Sequence, residues 1–312
     1  MSKFPTIKKI LWAVDAFQPE GLAQKNVAAT IATFAKLNNA RVRLVYVPGI
    51  RKFSSARTGD WIYQKSYIES AEQNLKKISL LIHNVPTDCA IVPLNGKSAK
   101  TNEIDALLGY ARKWGADVIA VATHAQNALV KLFIGSFAEG LIRHSRIPLL
   151  VVGPQLRSDP KSSLKNLLCP TDFSKKSRPL FLQTTKWAKT KGLQVIAIHG
   201  LTNTYLPAVL SDAHLLGGLY PPDTSLHDYL LKKNSKTLDT LLAACKKSGV
   251  KIKGEIYSNN GLISDIIVAA AKKHDADLIV MSTRSSSPAR AGMGSVTKKV
   301  IRATNSPVLI LK

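Results

Sequence analysis

Two aspartates and two Gly-Ser pairs are the residues of this 312-residue chain best placed for chemistry. Asp15 follows the apolar run KKILWAV, and Asp172 follows KNLLCPT. Gly135-Ser136 and Gly294-Ser295 each open a segment of helical period. Free backbone N–H groups and the positive dipole end at such a start favour a phosphate. Each pair is preceded by a loop of related form. In the first, Ala122-Thr123-His124-Ala125 is followed by nine residues and then Gly135; in the second, Ser282-Thr283-Arg284-Ser285 is followed by eight and then Gly294. Arg284, Arg290 and Lys298 could pair phosphate oxygens, or they are solvated loop cations. His124 and Lys131 carry the same two readings. A plainer role for Asp15 and Asp172 is to cap a turn or helix beside Phe17 or Ser174.

Other chemistries find no support. There is no G-x4-GK[ST], HExxH, G-x-S-x-G or CxxC, so P-loop, zincin, serine-hydrolase and thioredoxin-like readings fall away. The seven histidines show no metal-ligand spacing. Cys89, Cys169 and Cys245 lie far apart, which excludes a disulfide framework and fits a reducing cytoplasm. With 45% hydrophobic and 21% charged residues and no long apolar run, the composition is that of a globular chain without a membrane span. The start, MSKFPTIKKILWAVD, has no h-region of a signal peptide. The charge is unusual: 44 Lys and Arg against 20 Asp and Glu leave +24. Residues 1–156 carry 20 basic and 10 acidic side chains, so residues 157–312 carry the remaining 24 and 10. A basic excess spread over both halves attracts nucleotides, nucleic acid or anionic lipid, or reflects a generally basic surface.

The elements that must position these residues occur twice. GADVIAVAT (115–123) matches DADLIVMST (275–283), SRIPLLVVG (145–153) matches TNSPVLILK (304–312), and KKILWAVDAF (8–17) matches KNLLCPTDFS (165–174). The offsets agree: 157 from Asp15 to Asp172, 160 from Asp117 to Asp277, and 159 from Gly135 to Gly294. We therefore expect tandem domains over 1–153 and 165–312, joined by a Pro/Ser/Lys-rich linker at 154–164. Short apolar runs without alternation, such as VIAVA, LLVV, LIVM and VLIL, read as strands covered on both faces. The first half predicts strands near 9–14, 41–47, 88–94, 117–122 and 147–152, with helices near 20–38, 62–84, 100–114 and 136–145. The second predicts strands near 166–170, 193–199, 250–256, 277–282 and 306–311, with helices near 175–191, 226–248, 261–274 and 295–304. The fold class is α/β: two tandem doubly wound, five-stranded parallel-sheet domains of Rossmann-like type.

An aspartate after strand one, a strand-four loop of form G-x2-G-x9-G-[ST] and a Pro-led last strand together resemble the universal stress protein family. PTDFS (170–174) and ATHAQNALVKLFIGSFAEGLIRHSRIPLLVV (122–152) carry the likeness most strongly, and most of the chain is covered in two copies. The resemblance implies a cytoplasmic, stress-associated, non-enzymatic protein, dimeric and often paired through its last strand. One branch of the family binds ATP through the strand-four loop; another lacks the loop glycines and does not. On that pattern the adenine-nucleotide contacts map to Asp15, Val47, Ala122, Thr123, His124, Ala125, Gly135 and Ser136. In the second copy they map to Asp172, Ser282, Arg284, Ser285, Gly294 and Ser295. Both aspartates fall where the family's aspartate meets adenine or ribose, and Val47, ending strand two, is either an adenine cover or ordinary core. Gly200 replaces Val47 in the second copy.

The departures are physical. Two loop glycines are alanines in the first copy and serines in the second, and a left-handed backbone there would cost about 1–2 kcal/mol with a Cβ present. The first copy keeps the spacing; the second is one residue shorter. Weak ATP or AMP binding at one site is the expectation, within an intrachain pseudo-dimer that could also form a homodimer. The alternative is a nucleotide-free module using its basic surface, or the apolar segment 200–225, for nucleic acid, anionic lipid or a protein partner. That segment could equally pack against its neighbouring domain.

Overall fold

The computed structural model describes residues 6–18, 21–48, 61–93, 102–123, 135–153, 163–175, 177–202, 226–259, 261–282 and 294–312. In the first repeat the elements are β1 (Lys9–Ala13), α1 (Leu22–Asn38), β2 (Arg41–Tyr46), α2 (Trp61–Ser79), β3 (Thr87–Ile91), α3 (Glu103–Trp114), β4 (Val118–Ala122), α4 (Ser136–His144) and β5 (Leu149–Val152). In the second they are β6 (Asn166–Pro170), α5 (Ser177–Thr190), β7 (Gln194–Thr202), α6 (Leu226–Lys247), β8 (Ile252–Asn259), α7 (Ile263–Lys273), β9 (Leu278–Ser282), α8 (Ser295–Ala303) and β10 (Val308–Leu311). Strands and helices alternate as the periodicity implies, and the α/β class with tandem parallel-sheet repeats holds.

The chain divides into two compact units. One comprises Pro5–Leu164 with Ile301–Lys312, and Lys165–Val300 make up the bulk of the other. In the first unit the strand order is β3-β2-β1-β4-β5, all parallel, and β10 adds antiparallel to β5 through Val308↔Val151, Leu309↔Leu150 and Ile310↔Leu149. These residues are buried apolar, so β10 closes what would otherwise be an exposed hydrophobic edge. Lys312 reinforces it, its Nζ donating to the Ile142 carbonyl in the last turn of α4. In the second unit the order is β9-β6-β7-β8, again parallel. Right-handed crossovers put α1 and α2 on one face of the first sheet and α3 and α4 on the other; likewise α5 and α6 lie opposite α7 in the second.

Both repeats staple their sheets in the same way. Asp117, just before β4, accepts the backbone N–H groups of Lys8 and Lys9 on one carboxylate oxygen, at 2.8 and 2.9 Å. Asp277, just before β9, accepts those of Lys165 and Asn166, both at 2.8 Å. The carboxylate pairs donors at the strand-one entrance that no neighbouring strand reaches. Each aspartate is thereby a structural residue at the end of the sheet opposite the candidate site. α3 is bounded by local chemistry: Asn102 Oδ1 accepts from Asp105 N at 2.9 Å, and Gly115 at φ 74° ends the helix.

Several element boundaries differ from expectation by two residues or more, β3 ending at Ile91 and not 94 among them, and three of these have a visible cause. α2 stops at Ser79, five residues early, where the chain turns through Asn84 at φ 59°. β7 continues past 199 to Thr202, and β8 past 256 to Asn259, because the two strands stay paired through Thr202↔Asn259. Gly200 permits this: a Cβ there would come within 2.9 Å of Ile263 Cδ1 and 3.1 Å of Ile266 Cδ1. Gly200 therefore lies inside a strand under α7, not in a loop after it.

Candidate functional site

In doubly wound sheets, ligands meet the carboxyl ends of the strands. In the first repeat that end gathers the residues after β1, the end of β2, the end of β4 and the start of α4. Asp15 is exposed. Its Oδ1 accepts from Phe17 N at 3.0 Å, and its carbonyl accepts from Gln18 N, so the turn is locally closed and the carboxylate stays open to solvent. Phe17 stacks on Tyr67 with centroids 4.6 Å apart and meets Tyr46 edge-on at 5.9 Å. The Tyr46 and Tyr67 hydroxyls share a short hydrogen bond. Burial, then that bond, pushes the Tyr46 phenol well above its ordinary value, so Tyr46 stays neutral at physiological pH.

Tyr46 faces α2, since Tyr67 belongs to α2. Strand alternation turns the next residue, Val47, to the α3/α4 side, where it is buried. That is the face on which α4 starts. Gly135 precedes α4 with φ −53° and ψ 147°, no side chain caps the helix, and a Cβ on Gly135 would have nothing within 4 Å. Ser136 is exposed. Among the described residues, the start of α4 is thus open and has no side-chain acceptor for its N–H groups.

Two residues expected at the ligand belong to the sheet. Ala122 ends β4, paired with Val152. Thr123 is buried, its N–H donates to Val152 O at 2.9 Å and its hydroxyl turns to the same carbonyl at 3.4 Å. Thr123 therefore extends the ladder and does not present a hydroxyl to a ligand. His124, Ala125 and Lys131 lie outside the described residues, as do Arg284, Ser285 and Arg290.

The second repeat is built differently at the matching places. Asp172 is exposed, yet its Oδ1 accepts from Ser174 N at 3.0 Å and from the Ser177 hydroxyl. Ser174 caps α5, its Oγ accepting from Ser177 N at 3.1 Å. Burial alone would raise the Asp172 carboxyl, but the bonds from Ser177 and Ser174 outweigh it and hold the group below the ordinary aspartate value. Phe173, at φ 57°, stacks on His199 with centroids 4.4 Å apart. His199 Nδ1 lies 2.8 Å from Thr171 O. Burial lowers the imidazole below its usual value despite that carbonyl; the neutral ring donates from Nδ1 and leaves Nε2 as an acceptor. Ser282 ends β9, half-buried, and its carbonyl lies 3.4 Å from the Thr297 hydroxyl in the first turn of α8. Gly294 is half-buried and Ser295 exposed, and Lys298 N donates to Gly294 O at 3.1 Å.

Sequence reasoning missed the Phe17–Tyr46–Tyr67 cluster and the Ser174–Ser177 pair. The serines had a signal, since S-x-x-S spacing after a strand is that of a helix cap. The aromatic cluster joins three elements, and no local pattern announces it. Among the described residues no group of His, Cys, Asp or Glu could hold a metal, and no helix is long and apolar enough to cross a membrane.

A doubly wound parallel sheet, repeated in tandem, with an aspartate beyond strand one and a Gly-Ser helix start beyond strand four, defines a class of Rossmann-like α/β proteins. The model of the universal stress protein family matches residues 6–153 and again 163–312. The chain belongs to that family, as two tandem copies of its domain. A universal stress protein of Methanocaldococcus jannaschii is 24% identical over 155 residues, 47% of this chain and 94% of the relative. A putative universal stress protein of Staphylococcus epidermidis is 30% identical over 146 residues, 46% of this chain and 83% of the relative. A solved universal stress protein of Archaeoglobus fulgidus shares the fold over 97% of this chain and 98% of its own, with a TM-score of 0.65 at 18% identity.

Proposed function

We propose that this stress-response protein is a non-enzymatic cytoplasmic adenine-nucleotide binder, and that the first repeat is its working half. The observation that carries this is the unequal state of the two aspartates. Asp15 is exposed with only Phe17 N on its carboxylate among the described residues, whereas Asp172 is engaged by Ser174 and Ser177. Three further features support it: Val47 lies on the α4 face, the α4 start has no side-chain cap among the described residues, and Gly200 holds the place of Val47 in the second repeat. A ribose hydroxyl would meet Asp15, adenine the wall at Val47, and phosphate the N–H groups following Gly135.

Isothermal titration with ATP-Mg tests the reading. One nucleotide per chain is expected, lost in Gly135→Trp, whose folding circular dichroism checks, and kept in Gly294→Trp. Loss only in Gly294→Trp would transfer the site to the second repeat. No heat with the folded protein would place the chain in the non-binding branch. Phosphate release above background that disappears in Gly135→Trp would overturn the non-enzymatic part.

A further inference from the structure

The second unit holds a cavity of about 360 Å³ between α5 and α6, lined by Thr171, Phe173, Arg178, Lys233, Lys236, Thr237, Thr240 and Leu241. It lies on the α5/α6 face of the sheet, and its residues lie outside the strand-four loop and outside the nucleotide site proposed above. Three of the eight lining residues are cations and none is acidic. Asp172, between two of the lining residues, has its carboxylate held by Ser174 and Ser177.

The sequence builds one wall from a stripe on a single helix. Lys233, Lys236, Thr237, Thr240 and Leu241 fall at i, i+3, i+4, i+7 and i+8, one face of an α-helix. The core stripe of α6 runs beside it through Leu238, Leu241, Leu242 and Cys245, all buried. Polar residues at core-like spacing flank the packed face and look across at Arg178 in the first turn of α5. Both threonine hydroxyls donate one turn back, Thr237 to Lys233 O at 2.9 Å and Thr240 to Lys236 O at 2.8 Å. The charged donors that face the cavity are therefore the Arg178 guanidinium and the Lys233 and Lys236 ammonium groups, the Lys233 Nζ standing 5.9 Å from the Tyr229 ring centroid, and Thr171 adds a hydroxyl. The remaining wall is Thr171, Phe173 and Leu241: Leu241 is buried, and Phe173, in a left-handed conformation, donates its N–H to the Thr171 hydroxyl at 3.2 Å and stacks on His199.

We propose that this cavity is a second binding site, specific for a small organic phosphate whose compact apolar body lies against Phe173 and Leu241 while Arg178, Lys233 and Lys236 clamp the phosphate oxygens. A carboxylate is a weaker match, because three cations call for a doubly charged head and a guanidinium pairs two phosphate oxygens at once. The volume is within the range of small-ligand sites and exceeds what a bare phosphate fills.

Titration with phenyl phosphate, inorganic phosphate and phenol decides the matter. Phenyl phosphate is expected to bind one per chain, at least tenfold tighter than inorganic phosphate, with no binding of phenol. The double variant Lys233→Ala/Lys236→Ala, at exposed positions where folding is preserved, should weaken phenyl phosphate at least tenfold. Lys246→Ala/Lys247→Ala, equal in charge and on the same helix beyond the cavity, should change it less than twofold. Gly135→Trp should leave phenyl phosphate binding intact, which separates this site from the nucleotide site. Equal weakening in the two lysine doubles would reduce the effect to the general basic field and overturn the proposal. So would inorganic phosphate binding as tightly as phenyl phosphate, or the absence of binding to the folded protein.

Discussion

At the scale of single residues, the same aspartate does different work in the two repeats. Asp15→Ala should weaken ATP at least tenfold by titration and leave thermal stability nearly unchanged, because the carboxylate holds only the turn at Phe17. Asp172→Ala should leave ATP binding unchanged and cost about 1 kcal/mol in denaturant unfolding, as the loss of helix-cap hydrogen bonding does elsewhere. The Asp172 carboxyl is held below its ordinary value, so its contribution is complete above the unfolded aspartate range and is lost as acid protonates the folded group. The stability gap between wild type and Asp172→Ala should therefore close as pH falls below about 4. Glu255 offers a sharper case. Burial alone would raise it, but Lys273, Tyr257 and His274 together bring it down to about 2. Glu255→Gln should destabilise by about 1 kcal/mol at neutral pH after solvent screening, with the difference fading between about pH 4.5 and pH 2.

At the scale of elements, glycines report how closely helices lie on their neighbours. A Cβ at Gly140, inside α4, would come within 2.1 Å of Ile104 Cδ1 on α3, so Ile104 would have to move. Replacing a helical glycine by alanine gains about 1 kcal/mol where space allows. Gly140→Ala should accordingly gain little in the native background, and about 1 kcal/mol in an Ile104→Ala background. A double-mutant cycle of unfolding free energies measures that coupling. Gly200 makes the same point for a strand. Gly200→Val would restore the residue type of Val47 at the matching place, yet it faces Ile263 and Ile266. It should cost about 1–3 kcal/mol of overpacking, without creating a second nucleotide site.

At the scale of the whole molecule, the compact units do not follow the repeat boundary. The last strand of the second repeat pairs with the last strand of the first, and Ile301–Lys312 pack with the first unit. The strand-edge pairing that the family resemblance implies is thus made within one chain, between β5 and β10. Leu309 is fully buried opposite Leu150, so Leu309→Ala should cost about 2–5 kcal/mol. Native-state hydrogen exchange should show protection lost along β5, residues distant in sequence, while β7 and β8 keep theirs. Equal loss in β7 and β8 would show that the two units open together.

Much of this was written in the sequence. Tandem repetition, strand and helix order, and the parallel class followed from apolar runs and offsets, because a strand buried on both faces must be continuously apolar and a crossover helix must be amphipathic. The positions of Asp15, Asp172 and the Gly-Ser helix starts followed too, since strand ends and helix starts are marked by local chemistry. What a side chain touches was not local. The commitment of Thr123 to Val152, the Phe17–Tyr46–Tyr67 cluster, the continuation of β7 through Gly200 and the cation-lined cavity each need two or three elements brought together. The contrast between an open Asp15 and an engaged Asp172 is of the same kind. Both stand in the same motif position; the serines that follow and the helix they cap decided the difference, because a hydrogen bond depends on where the donor is in space and not on where it stands in the chain.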